Sequence, residues 1–409
     1  MINLSFYIAR RYFTTKSKAS FISLISKISM IGVGIEVMAL ILILSVFNGL
    51  EGFQKDLFKS YDPDFRITSK QVGSMKIDSL NLNQYRKIPG ISYVIPVLED
   101  QGLFRYKGKQ MVVNMKGVSP VFIKSKRLAK QIAEGGYYLK DAEGKNSFAL
   151  IGLGIFLSMG LSFEDVFTPI EAWYPDHHSL KTFSLNENAI RNNTIFPSGV
   201  IAVEQGFDNQ SVIVPLDWMQ QLTGKDQQIS ALEIMVKDGV DEDELKLQLE
   251  TLAGNQLIVQ SRDEQHASLL KAVSIEKLFV FLVMAFVMGI ASFTLFYTLS
   301  LLVIEKKKDL KTLLSMGITR KQLFKVFMFL GFLISFSGAI VGMMLGFSLA
   351  WLQETYGIIK MGIPNGLVDA YPIHMKWTDF LYTSILVIII TLLASIFPAR
   401  KAVKQTFED

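Results

Sequence analysis

The sequence predicts an integral membrane α-helical protein with four transmembrane helices and a large α+β extracytoplasmic domain between the first and second. Three observations predict it. Residues 278–304, 326–353 and 380–399 carry no charged side chain, and each is long enough for the roughly 20 apolar residues a bilayer span needs. A fourth stretch, 28–50, is interrupted only by Glu36, and the mixed composition of 51–277 beyond it requires a folded domain. The charge is also partitioned: 51–277 holds 25 basic and 29 acidic residues, leaving 17 basic and 8 acidic residues to flank the apolar runs. A composition of 50% hydrophobic and 19% charged residues, with the apolar ones bunched, excludes a soluble globular protein.

Basic residues set the orientation. Arg10, Arg11, Lys16, Lys18 and Lys27 precede the first span, and Lys306, Lys307, Lys308, Lys311, Arg320, Lys321 and Lys325 fill the loop between the second and third. Arg400, Lys401 and Lys404 follow the last span, whereas 354–379 carries only Lys360 and Lys376 against Glu354, Asp369 and Asp379. The positive-inside rule places both termini and 305–325 in the cytoplasm and 51–277 outside. The positive balance therefore serves membrane orientation, and no nucleic-acid partner is expected. The segment 1–27 is read as cytoplasmic or interfacial and not as a cleavable signal, because its apolar stretch starts late and lacks a small-residue cleavage site.

Taken in order, the first span continues as a helix past Gly49 and Gly52 until Asp62-Pro63 stops it. Short β-rich runs follow at 65–68, 93–97, 102–106, 111–117, 148–151, 182–185, 211–214 and 232–236, with helices near 125–134, 217–222 and 241–253. Two subdomains are expected, about 64–167 and 199–260, with the proline-punctuated 165–198 between them as an exposed arm. Ser261 and Glu264 form a capping-box pair, from which a proline-free helix is expected to run unbroken to Ile304. In 305–325, Leu310, Leu313 and Leu314 make the apolar stripe of a charged amphipathic helix that either offers a ridge to a cytoplasmic partner or merely fixes topology. Gly317 is placed to cap that helix, and Thr319 with Gln322 forms a second capping box before the third span. Gly338, Gly342 and Gly346 recur every fourth residue in 326–353, a small-residue ridge for close helix packing. The short loop 354–379, the span 380–399 and the cytoplasmic tail 400–409 complete the chain.

The search for chemistry returns little. Zero cysteines exclude disulfides and thiolate metal sites. The chain has no phosphate-binding Gly-x-x-x-x-Gly-Lys-Ser/Thr loop, no Gly-x-Ser-x-Gly elbow and no His-Glu-x-x-His helix, so no catalytic residue, cofactor or metal site is expected. His177 and His178 adjoin in the arm without a further ligand set. Glu36 is the one ionisable residue well inside a span, where a charge costs about 2.5–3.5 kcal/mol on insertion scales. It either lines a cavity or dimer seam, or packs protonated against another helix.

Ile8-Ala-Arg-Arg-Tyr12, Phe21-Ile-Ser-Leu-Ile-Ser26 and Leu44-Ser-Val-Phe-Asn-Gly49 together resemble the permeases of the MacB/FtsX-type ABC-transporter superfamily, above all its lipoprotein-releasing branch. Glu305-Lys-Lys-Lys-Asp-Leu310 running to Met316-Gly317 is similar to the family's coupling helix, and Ala394-Ser-Ile-Phe-Pro-Ala-Arg-Lys-Ala402 to its closing motif. The resemblance implies a multi-pass protein of the bacterial inner membrane. It implies a cytoplasmic ABC ATPase dimer coupling through Glu305, Lys308, Asp309, Leu310, Leu313, Leu314, Met316 and Gly317. A second permease copy or a paralogue, a lipoprotein substrate, a periplasmic lipoprotein carrier and membrane lipids complete the expected partners. Glu36, Leu40, Leu44 and Phe47 would line a lipid and substrate cavity, although the family usually has a small residue in place of Glu36. Pro169, Trp173, Tyr174 and Pro175 are the nearest match for the loop that hooks the carrier. Export of another substrate, or a division-type scaffold that activates a cell-wall hydrolase, stays open as an alternative.

Overall fold

The computed structural model describes residues 4–14, 21–70, 73–77, 80–165, 167–175, 190–361 and 370–407. The chain forms two compact units, one of Met1–Phe53 with Ser268–Asp409 and one of Gln54–Ala267.

The first unit is helical: α1 (Leu4–Thr14), α2 (Phe21–Tyr61), α3 (Ala267–Glu305), α4 (Lys307–Ser315), α5 (Arg320–Tyr356) and α6 (Trp377–Phe407). The helices α2, α3, α5 and α6 are long and apolar enough to cross a membrane. The unit boundaries fall inside α2 and at the first residue of α3. The glycine ridge of α5 packs on α2. A Cβ added at Gly338 would meet the Met30 carbonyl, and one at Gly342 would meet the carbonyl of Gly34. The two backbones thus touch where no side chain intervenes, as small-residue ridges allow in lipid. Ala9 of α1 is buried in the same core as Leu323, Phe327 and Ala399, and Ser5 Oγ donates to the Gln322 carbonyl at 3.0 Å. The helix α1 is therefore part of the bundle.

The second unit contains β1 (Phe65–Ser69), β2 (Met75–Lys76), β3 (Ile91–Tyr106), β4 (Lys109–Val118), β5 (Ile132–Gly135), β6 (Phe148–Gly152), β7 (Ile170–Pro175), β8 (Ile190–Ile201), β9 (Ser211–Pro215), β10 (Gln228–Ile229), β11 (Ala231–Val236) and β12 (Leu257–Ser261). Among the described residues, ten strands share one mixed sheet with the path β12-β1-β11-β3-β4-β9-β6-β8-β5, and β7 pairs with β3 and β8. Strands from 64–167 and from 199–260 are interleaved in that one sheet, with β3 and β4 side by side. The hairpin β3–β4 turns at Lys107-Gly108, both at positive φ, as a two-residue turn between right-twisted strands requires. The helix Leu216–Thr223 lays Trp218, Met219 and Leu222 on one sheet core, and Glu242–Ala253 lays Leu245 and Leu249 on another.

Three expectations are corrected. The arm is regular where it is described: β7 and β8 pair antiparallel from Ile170↔Ile195 to Pro175↔Ile190. His177, His178 and the strand expected at 182–185 lie outside the described residues. A helix at 125–134 is replaced by a short helix Val121–Ser125, a single 3-10 turn and β5, because Lys126 adopts a left-handed φ of 54° that ends the helix. The helix opened by Ser261 is also not continuous. Its capping box forms, but Arg262–Gln265 stops at His266, and α3 starts anew at Ala267. The stop is tertiary in origin: the His266 ring stacks on Phe58 at 3.7 Å, and its Nε2 lies 2.6 Å from Asp62 Oδ2.

Candidate functional site

The segment 305–325 is built from a break, a short helix and two caps. Lys306 leaves helical geometry at ψ 8°, which separates α4 from α3. At the other end Gly317 takes φ 88°, and Ile318 N donates back to the Leu313 carbonyl at 3.1 Å. The Thr319–Gln322 capping box then opens α5. This tight arrangement turns the apolar stripe inward. Leu310 is buried against a core that contains Leu323, Phe327 and Ala402, with Leu313 packed beside it, and Leu314 is half-buried. The outward face carries Glu305, Lys308, Asp309, Lys311, Met316 and Gly317, with Met316 77% exposed. A side-chain ion pair Lys306–Asp309 at 3.3 Å and the Lys306 ammonium over the Tyr12 ring tie the helix start to α1.

Glu36 lines a small cavity with Met288, Ser292, Ser335, Val387 and Thr391, so α2, α3, α5 and α6 all reach it. Its Oε2 and Ser335 Oγ are both buried, and neither has a hydrogen-bond partner among the described residues. Leu40 and Leu44, one and two turns further along α2, are instead packed in a core with Met288, Ala339 and Val387. Phe47 is half-buried. Of the four cavity residues read from the sequence, Glu36 alone faces that cavity.

At the end of the bundle opposite α4 lies a polar cluster that sequence reasoning missed. Asn48 Nδ2 donates to Asp379 Oδ2 at 2.5 Å and to the His374 carbonyl at 3.2 Å. The Lys277 ammonium donates to Asn48 Oδ1 at 2.6 Å and lies 3.6 Å from Asp379 Oδ1. Three membrane helices and the segment before α6 are thereby joined through buried Asn48 and Asp379 and half-buried Lys277. The sequence signal was slight: each residue stands at the edge of an apolar run, and nothing local pairs them.

In the second unit Pro169 and Trp173 are half-buried, Pro175 is exposed and Tyr174 is buried. Tyr174 OH donates to Asp100 Oδ2 at 2.8 Å, and Lys225 bonds the same oxygen at 2.7 Å. Burial alone would push the Asp100 carboxyl up, but these two donors and the Gln101 N–H hold it below the usual range. Tyr174 therefore belongs to the sheet, and Trp173 with Pro175 remains at the surface. Nearby, Glu233 is fully buried between Lys116 at 2.5 Å and Arg127 at 2.8 Å. Burial acts to raise its pKa, and the two cations outweigh burial and bring it to about 2. Arg127 also donates to the carbonyl of Tyr61, the last residue of α2.

Residues 281–407 match the family model of the FtsX-like permease C-terminal part, and residues 26–155 match that of the MacB-like periplasmic core domain. The lipoprotein-releasing system transmembrane protein LolE of Haemophilus influenzae is 23% identical over 98% of this chain and 98% of its own length. LolC of Neisseria meningitidis serogroup B is also 23% identical, over 99% and 98%. Along nearly its whole length the chain is similar to the Lol transmembrane proteins. The model matched by 281–407 is that of a permease. The periplasmic region of MacB from Actinobacillus actinomycetemcomitans covers 50% of the permease and 91% of that structure, at 14% identity and TM-score 0.35.

Proposed function

We propose that this permease works in an ABC machine that uses ATP hydrolysis by a separate subunit to release outer-membrane-destined lipoproteins from the inner membrane to a periplasmic carrier. The observation that carries the proposal is similarity along 98% of the chain to a transmembrane protein named for lipoprotein release. In this reading both termini and α4 lie in the cytoplasm, as the basic loops require. The ATPase dimer docks on the charged outward face of α4 around Lys308, Asp309 and Met316, while Leu310 and Leu313 anchor that helix to the bundle. Movement then passes along α2 and α3 into the sheet domain. The permease pairs with a second copy or a paralogue, and half-buried Trp173 with exposed Pro175 forms the candidate for carrier contact.

Reconstitution into proteoliposomes with the cognate ATPase and a triacylated lipoprotein tests this. ATP should move the lipoprotein to added carrier in solution, and no transfer without ATP is expected. ATP hydrolysis that is stimulated by the permease but never releases lipoprotein would refute the proposal.

A further inference from the structure

At the basic end of the bundle, a cleft of about 390 Å³ opens between the start of α5 and the end of α6, lined by Arg320, Lys321, Phe324, Lys325, Arg400 and Val403. We infer that this cleft binds the headgroup of an anionic phospholipid, with the lipid phosphate between the four cations and an acyl chain along α6. Helical spacing makes the cleft. Lys321, Phe324 and Lys325 stand at i, i+3 and i+4 on α5, and Arg400 and Val403 at i and i+3 on α6. Each helix thus contributes positive charge at the rim and one half-buried apolar side chain to the floor.

Among the described residues, Lys321, Lys325 and Arg400 have no carboxylate within ion-pair distance, and Arg320 lies over the Phe407 ring at 5.3 Å. Depth selects a lipid over a soluble anion. Lys325 immediately precedes the uncharged stretch of α5 and Arg400 immediately follows that of α6, so both sit at the level where a bilayer presents its phosphates. Leu393, Phe397 and Arg400 occupy i, i+4 and i+7, one stripe of α6, and Leu393 and Phe397 are 66% and 60% exposed. That stripe leads from the cations toward the membrane interior, as an acyl chain requires and inorganic phosphate does not.

Native mass spectrometry of the detergent-purified full chain, titrated with phosphatidylglycerol and with phosphatidylcholine, tests the site. Phosphatidylglycerol should be retained in clear preference, and 1 M salt should remove that preference in the unmodified protein. The triple variant Lys321→Gln, Lys325→Gln, Arg400→Gln should lower phosphatidylglycerol retention on the order of a hundredfold, given the attraction of each such cation to an anionic membrane surface. Lys308→Gln with Lys311→Gln, which removes exposed charge on α4, should leave the preference unchanged. Equal loss in both sets of variants, retention in the triple variant, or displacement of bound phosphatidylglycerol by inorganic phosphate at equal concentration would each overturn the assignment.

Discussion

Asn48 of α2 and Asp379 of α6 meet at 2.5 Å, although 331 residues separate them in the chain. The Lys277 ammonium completes the cluster from α3, and His374 N donates to the Ser45 carbonyl at 3.0 Å, so the segment before α6 is fastened to α2 as well. Removing one partner strands the others in a place with little water, which costs more than a surface hydrogen bond. Asn48→Ala should destabilise the detergent-solubilised permease by about 2 kcal/mol. Paired with Asp379→Asn, its effect on thermal unfolding should be clearly non-additive. Strict additivity would show that the two side chains do not act together.

The α2–α5 contact supplies a prediction with an internal control. Ala at Gly342 would push its methyl into the Gly34 carbonyl, so the helices must part, whereas Ala at Gly289 of α3 meets nothing within 4 Å. Gly342→Ala should cost about 1–3 kcal/mol through overpacking, and Gly289→Ala should be neutral or mildly stabilising. Thermal melts of both variants in one detergent decide it. Equal behaviour of the two would mean that the helices do not touch at Gly342.

What was legible in the sequence was local. Both capping boxes and the left-handed glycine after α4 depend on residues within a few positions, and all three are present. The break at His266 was not legible, because Phe58 and Asp62 cause it from about 200 residues away. The β7–β8 pair was disguised by Pro169, Pro175 and Pro197 and by the polar Asn192 and Asn193, which oppose Trp173 and Ala172. Periodicity found the apolar stripe Leu310, Leu313 and Leu314, but a period says that a face is covered and not by what. Here the bundle covers it, which leaves the charged face of α4 outward. Glu36 stood out as a lone charge in a span, and only the fold shows Ser292, Ser335 and Thr391 around it.

The buried Glu233 gives the sheet domain an acid dependence. Its folded pKa of about 2 lies below the ordinary carboxyl value of 4.5, so its contribution to stability is fully present above pH 4.5 and is lost as pH falls through about 2. The shift corresponds to an interaction on the order of 3 kcal/mol. Glu233→Gln should be strongly destabilised at pH 7, where Lys116 and Arg127 lose their anion. The gap in thermal stability between wild type and variant should then shrink from pH 5 to pH 2. A gap that stays constant over that range would show that Glu233 is already protonated in the fold.

The end of α2 and the helix start before α3 are bound by several contacts at once. Besides the Phe58–His266 stack and the Asp62–His266 pair, Lys55 meets Asp263 at 2.9 Å, and Arg262 pairs with Asp64. Under the proposed function, movement of either helix reaches the sheet through this joint and through the Arg127 bond to Tyr61. Phe58→Ala removes the aromatic surface on which His266 rests, without touching α4 or its outward face. Lipoprotein release should therefore fall several-fold while ATP hydrolysis by the assembled complex stays within about twofold, the signature of lost coupling rather than lost docking. A parallel fall in both activities would place the defect in folding or assembly. Unchanged release would show that the joint does not transmit the stroke, and the interruption of the helix at His266 would then be a matter of packing alone.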